Sequence, residues 1–406
     1  MRVSDIRSKV HESFEDMISW RRDFHRHPEL SNEEFRTSDK IEELLRSFGC
    51  DSVERPRPTG VVALIKGEKP GGCVALRADI DALPVTENTG LAFSSENEGV
   101  MHACGHDTHA AMLLCAAKVL CGMRSELQGT VKLIFQPAEE KAPNGGAKPL
   151  IEAGVLENPT VDAIMALHIS PGGPKVGSFS VYNGIATTAF DLYNIEVNGQ
   201  TAHGSQPHRG HDAILAASQF VVTAQQIVAR RINPVKTAIV SVGLINGGEA
   251  VNIIPSHVRM EMVCRTYGEE AREIIRDQIM KIAHGIEEYS ECRLDVEHIE
   301  GYSSVENDPR LISIADEAVT EELGEGYMDY LDEPLSFSED FGRYGQAAGV
   351  PSLFMLLNAG YLGIAPYSLH DSRCTFQEEA LEYGVTAMVA TAKKILSKLP
   401  KAGSGS

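Results

Sequence analysis

The pattern of apolar and polar positions divides this chain into two textures. Up to about residue 186, and again after about 303, near-continuous apolar runs alternate with helical patterns. Residues 60–66, 73–79, 130–136, 162–168 and 351–357 read as strands bounded by Gly or Pro. Helical periodicity covers 13–26, 31–48, a stretch capped by Asp107, then 147–152, 309–323 and 377–398, with a break at His27-Pro28-Glu29. Strands without a polar face, alternating with helices, predict a mainly parallel sheet covered on both sides. Between about 187 and 302 the strands change to period two. They fall at 190–197, 237–244, 257–266 and 293–300, with helices over 212–231 and 269–289. That β-α-β-β-α-β order predicts a ferredoxin-like α+β unit. The expected architecture is α/β: a discontinuous domain over 1–186 and 303–406, interrupted by an inserted α+β domain over 187–302.

Composition adds limits. The chain has 406 residues, 43% of them hydrophobic, enough for two sizeable cores. Its net charge of −20 argues against a nucleic-acid partner, because a phosphate binder needs a basic surface. No run of 18 apolar residues occurs, so no membrane span is expected. The first residues lack the apolar core of a signal peptide, and the eight Cys show no paired spacing. Free thiols and a cytoplasmic location are the expectation.

Candidate chemistry concentrates in His102-Ala103-Cys104-Gly105-His106-Asp107-Thr108-His109. Imidazole and thiolate are the side chains that borderline-soft divalent metals choose. On one helix Cys104 and His106 would face opposite ways. A loop that turns into a helix near Asp107 lets them share an ion. Gln136-Pro137-Ala138-Glu139-Glu140 places two carboxylates just past a strand that Pro137 ends. His168 ends another strand, and His370 lies in Ser368-Leu369-His370-Asp371. In an open α/β sheet, sites form beyond the carboxyl ends of the strands. One thiolate, one carboxylate and three imidazoles exceed what one tetrahedral zinc accepts and suit two ions. The second Glu would then be free to take a proton from water. Taken singly, each feature also has an ordinary reading: a polar helix entry, a surface acidic pair, a histidine at a strand end. His109 reads as a supporting residue.

Together these runs resemble the metal-dependent amidohydrolase branch of the aminoacylase/carboxypeptidase superfamily, whose members include hippurate hydrolases, indole-acetyl-amino-acid hydrolases and N-acetyl-diaminopimelate deacetylases. The resemblance spans nearly the whole chain. It is carried by Phe24-His25-Arg26-His27-Pro28-Glu29-Leu30, by Leu76-Arg77-Ala78-Asp79-Ile80-Asp81-Ala82-Leu83-Pro84, and by the 102–109 and 135–140 runs. Leu167-His168, residues 199–208, Gly247-Gly248, residues 251–255 and Ser338-Glu339-Asp340-Phe341 complete it.

The resemblance implies metal ligands at Cys104, His106, Glu140, His168 and His370, holding two divalent ions (Zn, Mn, Co or Ni). It implies Glu139 as catalytic base and then acid. It implies dimerisation through the inserted domain, with His203 reaching a partner's site and Asn252 and Arg265 holding substrate. Related branches carry His-x-Asp where this chain has Asp79-Ile80-Asp81; Asp81 is expected to orient a ligand histidine. The implied activity is hydrolysis of the amide of N-acylated amino acids, with a dipeptidase or carboxypeptidase as the alternative. A metal-bound protein without catalysis would lack Glu139. A thiol redox protein built on Cys104 would need a C-x-x-C partner that this sequence does not supply. The acyl pocket is expected to draw on residues 361–367.

Overall fold

The computed structural model describes residues 5–360 and 367–398, apart from the side chains of 347 and 348. Residues 361–366, in the stretch expected to line the acyl pocket, lie outside the described residues.

The four longest apolar runs pair as the parallel centre of an eight-stranded sheet. Its middle order is Gln128–Gln136, Lys69–Asp79, Ala163–Ser170 and Ser352–Asn358. Val61–Lys66 and Ser52–Glu54 extend one edge antiparallel. Phe179–Val181 and Met328–Tyr330 extend the other. Alternate side chains leave a strand on opposite faces. Val74, Leu76 and Ala78 enter a core shared with the helices Phe14–Arg26, His106–Cys121 and Ala380–Lys398. Cys73 and Ala75 enter a second core, with Ala147, Leu150, Phe341 and Tyr344. Both faces are covered, as the absence of a polar face requires.

The His106–Cys121 helix shows the effect of that covering, since nearly all its residues are buried. Asp107 does not cap it. The N-cap is Gly105, at φ +80, where a Cβ would lie 2.4 Å from Ile169 Cγ2. Only glycine fits both demands. Asp107 sits inside the first turn and accepts from Arg21 Nε at 2.8 Å, a tertiary partner that outcompetes the local cap. The Phe35–Ser47 helix likewise starts later than its periodicity predicts. Residues 30 and 31 are used elsewhere: Leu30 bridges to Ala82, and Ser31 Oγ donates to Asp81 at 2.7 Å.

The period-two strands form a separate antiparallel sheet in the order Ala238–Gly247, His257–Thr266, Ala189–Asn198 and Arg293–Glu300. In chain order that is 2-3-1-4, the ferredoxin-like arrangement. The helices Ala213–Arg230 and Glu269–Ser290 pack on one face and share a hydrophobic core with it. Among the described residues no helix is long and apolar enough to cross a membrane.

Candidate metal centre and active-site cavity

Three neighbouring parallel strands deliver the chemistry at their carboxyl ends. Lys69–Asp79 leads into Asp79 and Asp81, Gln128–Gln136 into Glu139 and Glu140, and Ala163–Ser170 carries His168. The turn after Gln136 is held by two acids. Ala138 N donates to Glu34 Oε1 at 2.8 Å, and Glu140 N donates to Asp81 Oδ2 at 3.0 Å. The Tyr302 hydroxyl donates to the carbonyl of Glu139. His370 sits at φ +70, and its backbone N–H donates to Ala103 O at 2.9 Å, which docks it beside the 102–106 turn.

All five predicted ligands converge. Donor atoms of Cys104, His106 and His168 lie within 4.8 Å of one another, and so do those of Cys104, Glu140 and His370. The two groups share Cys104. A third group joins His106 to Glu139 and Glu140. Cys104 Sγ is 3.5 Å from His168 Nε2, and His370 Nε2 is 3.3 Å from Glu140 Oε1.

The histidines are oriented from behind. His168 Nδ1 donates to Ile169 O at 2.8 Å, and His106 Nδ1 donates to Asp81 O at 2.9 Å, with Asp81 Oδ1 at 3.2 Å. Both bonds leave Nε2 as the available lone pair, the arrangement in which a histidine can bind a metal ion while its other ring nitrogen is held in place. His106 Nε2 and Glu140 Oε1 are buried without a hydrogen-bond partner, and such orphans are costly unless something binds them. A sulfur, nitrogen and oxygen donor set around them fits borderline divalent cations. His109 supports the site: its Nδ1 donates to Asp79, and its Nε2 accepts from Ile169 N at 2.8 Å.

Electrostatics point the same way. Asp79, Asp81, Glu139, Glu339 and Asp340 are all buried around this crevice. Arg77 is the buried counter-charge. It donates to Gln136 at 3.0 Å, Asp79 at 2.6 Å and Asp340 at 2.8 Å, with Glu339 Oε1 3.0 Å away. One guanidinium does not neutralise so many carboxylates. Burial, then Glu339 and Glu140, push the Glu139 carboxyl well above its ordinary range. Burial likewise raises Glu339 to about 8, even against Arg77. Burial and then Glu140 and Glu139 push the Cys104 thiol well up. Acids and a thiol pushed up this far would release their protons to an incoming cation that takes the protons' place.

A cavity of about 800 Å³ opens on this cluster. Cys104, Glu139, Glu140, His168 and His370 form part of its wall. Arg265 lines it too, with Nη1 donating to Ser338 Oγ at 2.9 Å and the guanidinium 5.9 Å from the Phe190 ring centre. Phe190, Leu192, Val263, Phe337 and Leu369 give the cavity an apolar side. Those five are strand and loop residues with no chemical signature, so sequence reasoning missed them, as it missed Glu34 and Tyr302; Arg77 stood in a quoted motif without a role. Glu339 and Asp340 stood in a quoted motif without a role.

His203 and Asn252 are not brought to this cavity within one chain. His203 is exposed, pairs across a short ladder with Ile253, and bonds Ser205 Oγ at 2.8 Å. Asn252 is exposed beside it, and its carbonyl accepts from Gly204 N.

The chain is 38% identical over 398 residues to thermostable carboxypeptidase 1 of Saccharolobus solfataricus, covering 98% of this chain and 99% of that protein. It is 35% identical over 381 residues to N-acetyl-L-cysteine deacetylase of Bacillus subtilis, covering 94% and 88%. A solved Bacillus subtilis protein described as a dinuclear metal binding peptidase from the M20 family superposes with a TM-score of 0.82 at 33% identity, covering 96% of this chain and 100% of that one. Residues 75–394 match the model of peptidase family M20/M25/M40, and the chain belongs to that family.

Proposed function

We propose that this chain hydrolyses the amide bond of N-acylated amino acids, releasing a carboxylic acid and a free amino acid. The observation that carries the reading is the convergence of Cys104, His106, Glu140, His168 and His370 around Glu139 in one cavity. The five would hold two divalent ions, drawn from Zn, Mn, Co or Ni. When bound, such ions would acidify a water and polarise the amide carbonyl.

The chain's own groups do the rest. Glu139 takes the proton of the attacking water and returns it to the departing amine, a role worth about 10²–10⁴-fold in rate. Its buried, carboxylate-crowded setting makes it a strong base once a neighbouring positive charge keeps it ionised. Arg265 grips the free carboxylate of the substrate, whose planar shape matches a guanidinium. The apolar side of the cavity takes the acyl group. Asp81 fixes the ring of His106.

Residues 187–302 act as an inserted lid and dimerisation domain on the catalytic unit, 1–186 with 303–406. His203 and Asn252, exposed and absent from the cavity lining, would serve a second subunit's site, as oxyanion donor and substrate contact. Eight free cysteines support a reducing, cytoplasmic setting. The second reading, a carboxypeptidase or dipeptidase, rests on the name of the Saccharolobus relative.

A panel of N-acetyl, N-benzoyl and indole-acetyl amino acids beside dipeptides separates the readings. Glu139→Gln should keep its metal and lose several orders of magnitude in turnover on the preferred substrate. Near-normal turnover would remove Glu139 from the mechanism.

A further inference from the structure

Two of the eight cysteines differ from the rest. Six are buried, whereas Cys50 and Cys121 are partly exposed. Their sulfurs lie 3.8 Å apart, although 71 positions separate them in sequence. Cys121 ends the His106–Cys121 helix, and Cys50 follows the Phe35–Ser47 helix on the turn into Ser52–Glu54. Arg124 ties the two together. Its guanidinium stands 4.0 Å from Cys121 Sγ, bonds Asp51, and donates to the carbonyls of Gly49 and Lys66. The hydrogen bond from Cys50, then Arg124, hold the Cys121 thiol below its ordinary value, and the same bond pushes Cys50 up. The guanidinium beside Cys121 alone makes that sulfur the one whose thiolate form is favoured. A guanidinium repels a metal cation, and neither cysteine falls in any candidate metal group among the described residues. Thiolate character with access is what makes a cysteine oxidisable.

We propose that Cys50 and Cys121 are a modification site, a dithiol that hydrogen peroxide converts to an intramolecular disulfide. The Cys121 thiolate attacks one peroxide oxygen, the O–O bond breaks, and the departing hydroxide takes a proton to become water. Cys121 is then a sulfenic acid. Cys50 sulfur attacks Cys121 sulfur, the S–S bond forms and the S–O bond breaks. The second hydroxide leaves with the Cys50 proton as water. Two thiols lose two electrons and one peroxide gains them. The sulfurs close by about 1.8 Å to reach disulfide length. At 1.5 Å per helical residue, Cys121 lies roughly 22 Å from His106, so the cross-link forms away from the cavity.

The test treats the full metal-replete chain with a low excess of hydrogen peroxide, alkylates the remaining thiols in denaturant, and maps unreduced peptides by mass spectrometry. The expected product joins the Cys50 and Cys121 peptides within one chain, lighter by two hydrogens, before the six buried thiols react. Cys50→Ser should leave Cys121 as a sulfenic acid that dimedone traps, and Cys121→Ser should leave Cys50 alkylatable. A Cys121 that stays alkylatable while buried thiols oxidise would overturn the proposal. So would a disulfide between two chains, or a Cys121 that passes to sulfinic acid uncrosslinked.

Discussion

Asp81 offers the sharpest perturbation of the proposed metal centre because it does not itself line the cavity. Its carboxylate accepts from Ser31 Oγ at 2.7 Å and Glu140 N at 3.0 Å, and it lies 3.2 Å from His106 Nδ1. It thus supports two proposed ligands, one by the ring and one by the backbone. Asp81→Ala removes all three contacts. His106 Nδ1 keeps the Asp81 carbonyl at 2.9 Å, so the ring stays near its place but is less firmly held. A hydrogen bond to a charged group is worth about 1.5–3 kcal/mol. At about 1.4 kcal/mol per tenfold, losing one such bond weakens metal binding by roughly 10–150-fold. Supporting residues of this kind are typically worth about 10–100-fold in affinity. The assay is a metal titration of stripped enzyme, read by calorimetry and by recovered hydrolysis. The midpoint should move to higher metal, while saturating metal restores most of the turnover. An unchanged midpoint would refute the argument that Asp81 orients His106.

Other perturbations reach different parts of the account. Arg77→Met strands Asp79, the carboxylate that the guanidinium holds well below its ordinary range against burial, so urea unfolding should show a loss of about 3–5 kcal/mol; a loss under about 1 kcal/mol would mean the carboxylate finds other relief. Glu87 is held down to about 2 because, against its burial, His25, the Thr89 hydroxyl and the Ser95 N–H stabilise its charge. A carboxyl whose folded value is depressed stabilises the fold above its unfolded value near 4.3 and loses that contribution as pH falls toward 2. Thermal unfolding from pH 5 to 2 should therefore drop less steeply in Glu87→Gln than in the parent; parallel curves would contradict this. Mixing inactive His203→Ala and Glu139→Gln chains should restore part of the activity if His203 serves a neighbouring subunit, and a mixture as inactive as its parts would place each site within one chain.

How much of this was legible in the sequence depended on how local each signal was. Apolar runs such as 73–79 and 162–168 announced buried strands, since runs this short that follow Gly or Pro breaks fit strands better than helices. The short strands Phe179–Val181 and Met328–Tyr330 are three residues each, too short to carry a period. Asp107 was read as a cap because caps are local, yet its partners Arg21 and His25 arrive from more than eighty residues away. The same divide runs through the site. Metal-ligand chemistry is written in residue type, so Cys104, His106, Glu140, His168 and His370 stood out. Glu34 and Tyr302 are ordinary residues until tertiary structure sets them behind the Glu139–Glu140 turn, and no pattern in their own neighbourhoods announces that position.

Anomalous diffraction at the absorption edge of the added metal tests the central claim most directly. Metal-replete crystals should show two peaks per chain, bounded by Cys104, His106, Glu140, His168 and His370, with the Glu139 carboxylate nearby but unligated. A single peak, peaks elsewhere, or Glu139 bound as a ligand would contradict it.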